Sequence, residues 1–238
     1  MEFTSSKIFK LIGKINQPVI LEVGAHVGSD TREFVNCYPD AKIFCFEPDP
    51  RCSEQWKQQR FGENVRLFEI AISDEDKKIH LNISEARYPI SSTGIRKILR
   101  RLLRRQHMEV TTTSLGQSSI ANATSRTDAY PWLVFTHKIE VAAMKLDTWR
   151  MINMPDVPVI DFVWTDVQGA EKRLIQGALK TLAKTRFITL EYGATNVYDG
   201  AMSREETIKM MGDNCFRLLD DYSDLAPEGN LVFANTRI

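Results

Sequence analysis

The chain has 238 residues, 43% hydrophobic and 26% charged, and its 31 basic and 31 acidic side chains cancel to a formal net charge of zero. That length fits one large domain, or one domain with an insert, and the charge balance excludes a global electrostatic pull toward nucleic acid. The 4 cysteines, Cys37, Cys45, Cys52 and Cys215, follow no metal-ligand spacing and read as buried or half-buried thiols of a reducing compartment.

In chain order, the opening stretch MEFTSSKIFKLIGKINQP has an early acid and lysines that divide its apolar residues, so it lacks the unbroken core of a signal peptide. No run approaches the roughly 18 apolar residues of a spanning helix, and the expectation is a soluble, cytoplasmic protein. Apolar runs predict strands at Val19 to Val23, Lys42 to Phe46, Val65 to Ile70, Ile160 to Trp164, Phe187 to Leu190 and Leu231 to Ala234. Helical patterns fall between them at about 29–38, 50–60, 170–183 and 203–213. This alternation predicts an α/β fold: a mostly parallel sheet of Rossmann-like type with helices on both faces. It breaks between about 78 and 145, where a polar, Ser- and Thr-rich region separates two strand-like pieces, KKIHLNIS and KIEVAAM. The reading is a single domain over 1–238 with an insert at 85–138.

Inside that insert lies GIRKILRRLLRRQH at 94–107. Ile95, Ile98, Leu99, Leu102 and Leu103 share one helical face, and six basic residues with no acid fill the other, so the segment predicts an amphipathic helix. Two readings stay open: a packed helix with a solvated basic face, or contact through 95–105 with anionic material such as a membrane surface or an acidic glycan. No aromatic residues are interleaved with the cluster, which argues against nucleic acid.

The first strand and its turn, VILEVGAHVGSD, place an acid and two glycines at the end of a buried strand. In open α/β sheets ligands sit beyond the carboxyl ends of the strands, where Gly24 and Gly28 allow a sharp turn and close backbone approach. Glu47 ends the next strand, in IFCFEPDP, where a carboxylate can accept hydrogen bonds from both hydroxyls of a ribose. The glycine spacing is not that of a pyrophosphate-binding turn, since His26 stands where its middle glycine would be, and no P-loop is present. A nucleoside with an amino-acid tail in place of phosphates fits better, with Glu22 and the turn backbone meeting its ammonium and carboxylate. S-adenosyl-L-methionine answers that description.

These residues resemble the FkbM-type methyltransferases of the class I S-adenosylmethionine-dependent fold. The resemblance lies in LEVGAHVGSDTREF, FCFEPDP, VRLFEIAISDEDKKIHLNIS, MKLDTW and, most specifically, DFVWTDVQGAEKRLIQGALKTL followed by ITLEYG. It covers roughly 19–84 and 139–192. The family often has Asn in place of His26, Lys in place of Thr165 and Glu in place of Gln168. The resemblance implies methyl transfer from S-adenosyl-L-methionine to an oxygen, typically a hydroxyl of a sugar, glycan or glycosylated metabolite. By the same resemblance, Glu22, Gly24, Ala25 and Gly28 would line the methionine end of the cofactor. Glu47 and Pro48 would hold the ribose, Ala71 and Ile72 would flank the adenine, and Asp166 would stand beside the methyl group. The insert would cover the acceptor, and its arginines would suit a negatively charged one.

Methyl transfer to a hydroxyl requires two positioned partners and the removal of one proton. Asp166, delivered by the strand VIDFVW, is the first candidate base; a plainer role as cap of the following helix stays open. Glu191, at the end of RFITLEYG, would project from the same sheet edge, and the two carboxylates could hold a divalent metal or divide the work of one base. His26 could also take a proton or simply order the turn. Glu171 would favour the N-terminus of its helix. The alternative from another class is a binding protein with a degenerate cofactor pocket, recruited to membrane or RNA by its basic helix.

Overall fold

A computed structural model describes residues 13, 15–89, 109–112, 118–121, 133–193, 198–222 and 228–238. The basic stretch 94–107 and most of the expected insert lie outside the described residues.

The order of strands answers to their apolar content. β1 (Val19–Val23), β2 (Lys42–Phe46), β3 (Val65–Phe68), β8 (Ile160–Thr165) and β9 (Thr185–Tyr192) run parallel in the order β3-β2-β1-β8-β9. An antiparallel pair, β11 (Gly229–Asn235) and β10 (Phe216–Asp221), completes the 7-stranded sheet beside β9. β1 is buried on both faces. Leu21 and Val23 join a core with Trp149, Val163, Leu174 and Leu190, whereas Ile20 joins Phe34, Ile43, Trp56 and Phe162 on the other side.

Helices α1 (Ser29–Cys37) and α2 (Pro50–Gln58) follow β1 and β2 as expected. α2 starts where it does because the Asp49 carboxylate accepts from the Arg51 amide and Pro50 occupies the first turn. The helix expected at 170–183 is divided into α4 (Glu171–Gln176) and α5 (Leu179–Leu182). A Cβ at Gly177 would lie 1.9 Å from the Ser73 carbonyl oxygen, so the chain breaks its helix to pass that backbone. The Asp147 carboxylate then accepts from the amides of Lys180 and Thr181 at 3.0 and 2.7 Å. Among the elements that escape the sequence reading are α3 (Leu146–Asn153), whose first residue follows Lys145 without a side-chain cap, and the acid-ending β10. α6 (Arg204–Asp213) opens with a complete capping box between Ser203 and Glu206.

The two strand-like pieces flanking the break pair with each other. β5 (Lys77–Pro89) and β7 (Leu133–Met144) form a long antiparallel ladder, to which β4 (Ala71–Ile72) and β6 (Glu109–Thr112) add as edges of a 4-stranded sheet. The predicted run Val65 to Ile70 thus ends at Phe68, and Ala71–Ile72 leaves the large sheet to pair with Ala143 and Met144. Among the described residues no helix is long and apolar enough to cross a membrane.

Candidate active site

The strand order reverses at β1, whose neighbours are β2 and β8, and a crevice opens beyond their carboxyl ends. The backbone closes around it tightly. Gly24 and Ala25 donate to the Phe46 carbonyl at 2.9 and 3.0 Å, and Asp166 donates to the Val23 carbonyl at 2.9 Å. Gly24 has φ +90°, and a Cβ there would come within 1.8 Å of the Asp166 carbonyl oxygen. Its lack of a side chain therefore serves first to let the β1 and β8 ends approach each other.

Two hollows, with about 410 and 520 Å³ of open space, share Gly24, Glu47, Ser118 and Asp166. The first has an apolar lining that includes Phe46, Pro48, Ile70, Ala71, Ile72 and Leu81. Polar groups dominate the second: His26, Ser29, Asp30 and Gln168 join the shared residues, with Ala25 in the turn.

Glu47 is buried at the junction. One oxygen accepts from the His26 amide at 2.8 Å and the other from the Asp49 amide at 2.7 Å, so the carboxylate is fixed by both neighbours in its loop. Burial raises its pKa to about 7, against the lowering effect of those amides. Each oxygen keeps acceptor capacity for a further donor. Asp166 follows the last residue of β8 and is open to the cleft yet deep in the molecule; that desolvation raises its pKa, while the Gln168 amide, donating to Oδ1 at 2.5 Å, favours the charged form. It does not cap the helix that follows: α4 begins at Glu171, after Ala170, with no side-chain cap.

Glu191 stands beside Asp166 without lining either hollow. The parallel register pairs Val163 with Ile188, and continuing it sets Asp166 opposite Glu191 on the same face. Burial, then the neighbouring Asp166 charge, holds the Glu191 carboxyl well above the carboxylate range, and its Oε2 is buried with no partner. His26 sits in the turn at φ +49°, with its imidazole pKa lowered by burial and its buried Nε2 unpartnered. Sequence reasoning missed Asp30, in the first turn of α1, whose pKa rises to about 6 through burial and the charge of Asp166. It also missed Ser118, which no local pattern marks. Glu171, in the first turn of α4, is likewise raised to about 7 by burial and accepts from the Gly169 amide at 3.3 Å.

Two expectations are corrected. Glu22 does not face the crevice. The two-residue period of β1 turns it with Ile20 into the layer between sheet and helices, where it is fully buried. There Thr31 Oγ1 and Cys45 Sγ both donate to its Oε2, at 2.6 and 3.2 Å, and desolvation pushes its pKa up to about 8. Gly28 lines neither hollow. At φ +89° it ends the turn into α1, and a Cβ there would meet Trp56 Cδ1 at 2.8 Å, so its smallness serves packing under the turn. Among the described residues, no group of three or more His, Cys, Asp or Glu side chains is arranged to hold a metal ion.

The arrangement suits a nucleoside whose base fills the apolar hollow, whose ribose meets Glu47, and whose cationic tail meets Asp30 and Asp166. The profile of the methyltransferase FkbM domain family matches residues 22–218. The chain is 32% identical over 222 residues to 2-O-methyltransferase NoeI of Sinorhizobium fredii (strain NBRC 101917 / NGR234), covering 93% of this chain and 81% of that protein. In fold it is similar to a solved structure described as a putative S-adenosylmethionine dependent methyltransferase from Listeria monocytogenes, with a TM-score of 0.50 and 8% identity over 98% of this chain and 97% of that one.

Proposed function

Because the chain belongs to the FkbM methyltransferase domain family and is an S-adenosylmethionine-dependent O-methyltransferase, we propose that it methylates a hydroxyl of a sugar or of a glycosylated compound. The observation that carries this reading is the division of the crevice at Glu47 into an apolar and an acidic half. Bound there, the cofactor supplies an electrophilic methyl group. Glu47, with its oxygens already oriented by the His26 and Asp49 amides, accepts from the two ribose hydroxyls. Phe46, Ile72 and Leu81 exclude water from the base. Asp30 and Asp166 offset the positive charge of the tail.

Asp166 is the general base of this proposal. Its raised pKa brings proton affinity closer to the working pH than that of an exposed carboxylate, and Gln168 fixes the orientation of Oδ1. Glu191, crowded against it, gains a proton more readily as Asp166 ionises, so the pair titrates as one unit. His26, whose pKa burial lowers, lines the same polar half and is a second candidate proton acceptor there. The likeness to a 2-O-methyltransferase supports oxygen as the methylated atom. The basic composition of 95–105 would suit an anionic acceptor.

The test is a panel of neutral and anionic glycosides incubated with S-adenosylmethionine, read by S-adenosylhomocysteine release and by the mass and position of the added methyl group. Methylation at a sugar hydroxyl is expected, and Asp166→Asn should lower turnover about 100-fold or more even at saturating cofactor. Methyl transfer only to nitrogen or carbon acceptors, or full activity in Asp166→Asn, would contradict the reading.

A further inference from the structure

Part of the crevice wall comes from a segment remote from the strand ends. Ser118, Ser119 and Ile120 line the apolar hollow, and Ser118 is the one residue of this segment shared by both hollows, alongside Gly24, Glu47 and Asp166. The segment is tied down at three points. Asn82 on β5 pairs its backbone with Ser119 and donates from Nδ2 to the carbonyls of Ser119 and Ala121, at 3.1 and 2.6 Å. Ser119 Oγ donates to the Gln168 carbonyl at 2.6 Å, in the loop that carries Asp166. Arg51, in the first turn of α2, makes the third tie.

All three nitrogens of the Arg51 guanidinium donate. Nε donates to both oxygens of Asp49, at 3.0 and 3.2 Å, and Nη2 donates to Asp49 Oδ2 at 2.6 Å. Nη2 also donates to Ser118 Oγ at 3.0 Å, and Nη1 to the Ser84 carbonyl at 3.3 Å. Asp49 is the residue whose amide orients Glu47, so one run of bonds passes from Glu47 through Asp49 and Arg51 to Ser118. Ser118 Oγ accepts from the Ser84 amide as well, at 3.2 Å. With two donors on its oxygen, the hydroxyl keeps its hydrogen for the Asp49 carboxylate, for Ser84 Oγ, 3.3 Å away, or for an acceptor in the crevice.

We propose that Ser118 is a cofactor contact supplied by the chain between β5 and β7, donating to the nucleoside beside Glu47, and that Arg51 is the positioning residue that holds it there. This rests on the reading of the crevice as the S-adenosylmethionine site. The guanidinium grips Asp49 side-on through Nε and Nη2 while Nη2 also reaches Ser118; a lysine ammonium cannot reproduce the side-on pair. Cofactor binding and the acceptor-side region are thereby joined through one side chain.

The experiment is calorimetric titration of S-adenosylhomocysteine into the wild type, Ser118→Ala, Arg51→Ala, Arg51→Lys and the double variant, with thermal unfolding of each. Ser118→Ala and Arg51→Ala should each weaken binding about 5-fold, in the range of one lost hydrogen bond. The double variant should be no weaker than Arg51→Ala alone, because both changes remove one contact. Arg51→Lys, which keeps a charged donor and loses the side-on pair with Asp49, should fall between the wild type and Arg51→Ala. Wild-type affinity in Ser118→Ala overturns the proposal even if Arg51→Ala fails to fold, and so does a double variant whose losses simply multiply, since Arg51 would then act through Asp49 alone. A wild type that takes up no S-adenosylhomocysteine would instead overturn the reading of the crevice itself.

Discussion

At the scale of single residues the crevice depends on positions that tolerate no addition. Gly24→Ala would drive a methyl group to 1.8 Å from the Asp166 carbonyl in a left-handed backbone, and we expect it to misfold or to lose about 3 kcal/mol of stability. Chemical unfolding checks this; an unchanged midpoint would mean that the β1 and β8 ends need no such approach. Gln168→Glu replaces the amide donor on Asp166 with an acid, so the acid limb of the pH–rate profile should move to higher pH. An unmoved profile would remove Asp166 from proton transfer. Glu47 and Asp166 are legible in the sequence because both follow the last residue of an apolar strand. Glu22 misleads because a glycine turn after an acid looks like a binding loop, whereas strand alternation sends that side chain to the opposite layer. Ser118 is invisible locally: long-range ties, among them the pairing of Asn82 with Ser119 and the bond from Arg51, bring it to the site.

At the scale of elements, the layer formed by β1, β2, α1 and α2 closes over an acid. Glu22, Thr31, Cys45 and Trp56 form one buried network in which Thr31 Oγ1 donates to Glu22 and accepts from Trp56 Nε1 at 3.0 Å. Because the folded state holds the Glu22 proton more tightly than the unfolded chain does, with a pKa of about 8 against 4.5, this group favours folding fully at low pH. Its contribution is lost as pH rises toward 8, on the order of 3 kcal/mol between pH 5 and pH 8. Urea unfolding at those two values should show stability falling in the wild type and falling less in Glu22→Gln; equal falls would mean that the acid is not held protonated. Strands with continuous apolar runs were readable as elements, and so were helices flanked by clear starts such as Ser203. The break between α4 and α5 was not, because Gly177 yields to the Ser73 backbone, a contact made only in the folded chain.

For the whole molecule, a net charge of zero conceals an uneven distribution. Asp30, Glu47, Asp166, Glu171 and Glu191 gather near one crevice, and burial raises the pKa of each. A ligand that brings positive charge favours their ionised forms, so S-adenosylmethionine should gain affinity over uncharged-sulfur S-adenosylhomocysteine as pH rises from 6 to 8. Parallel titrations at both pH values test this, and a constant ratio would separate the carboxylates from the sulfonium. The alternation of strands and helices foretold the mostly parallel sheet, but the antiparallel pairing of β5 with β7 and the return of Ala71–Ile72 to that second sheet depend on long-range register that no local pattern encodes.

The most direct measurement is calorimetric titration of S-adenosylmethionine into the wild type and into Glu47→Ala. A single saturable site in the wild type, weakened about 10-fold or more when the ribose loses its acceptor, is the predicted result. Equal affinity in the two proteins, or no uptake by the wild type, would contradict the division of the crevice at Glu47.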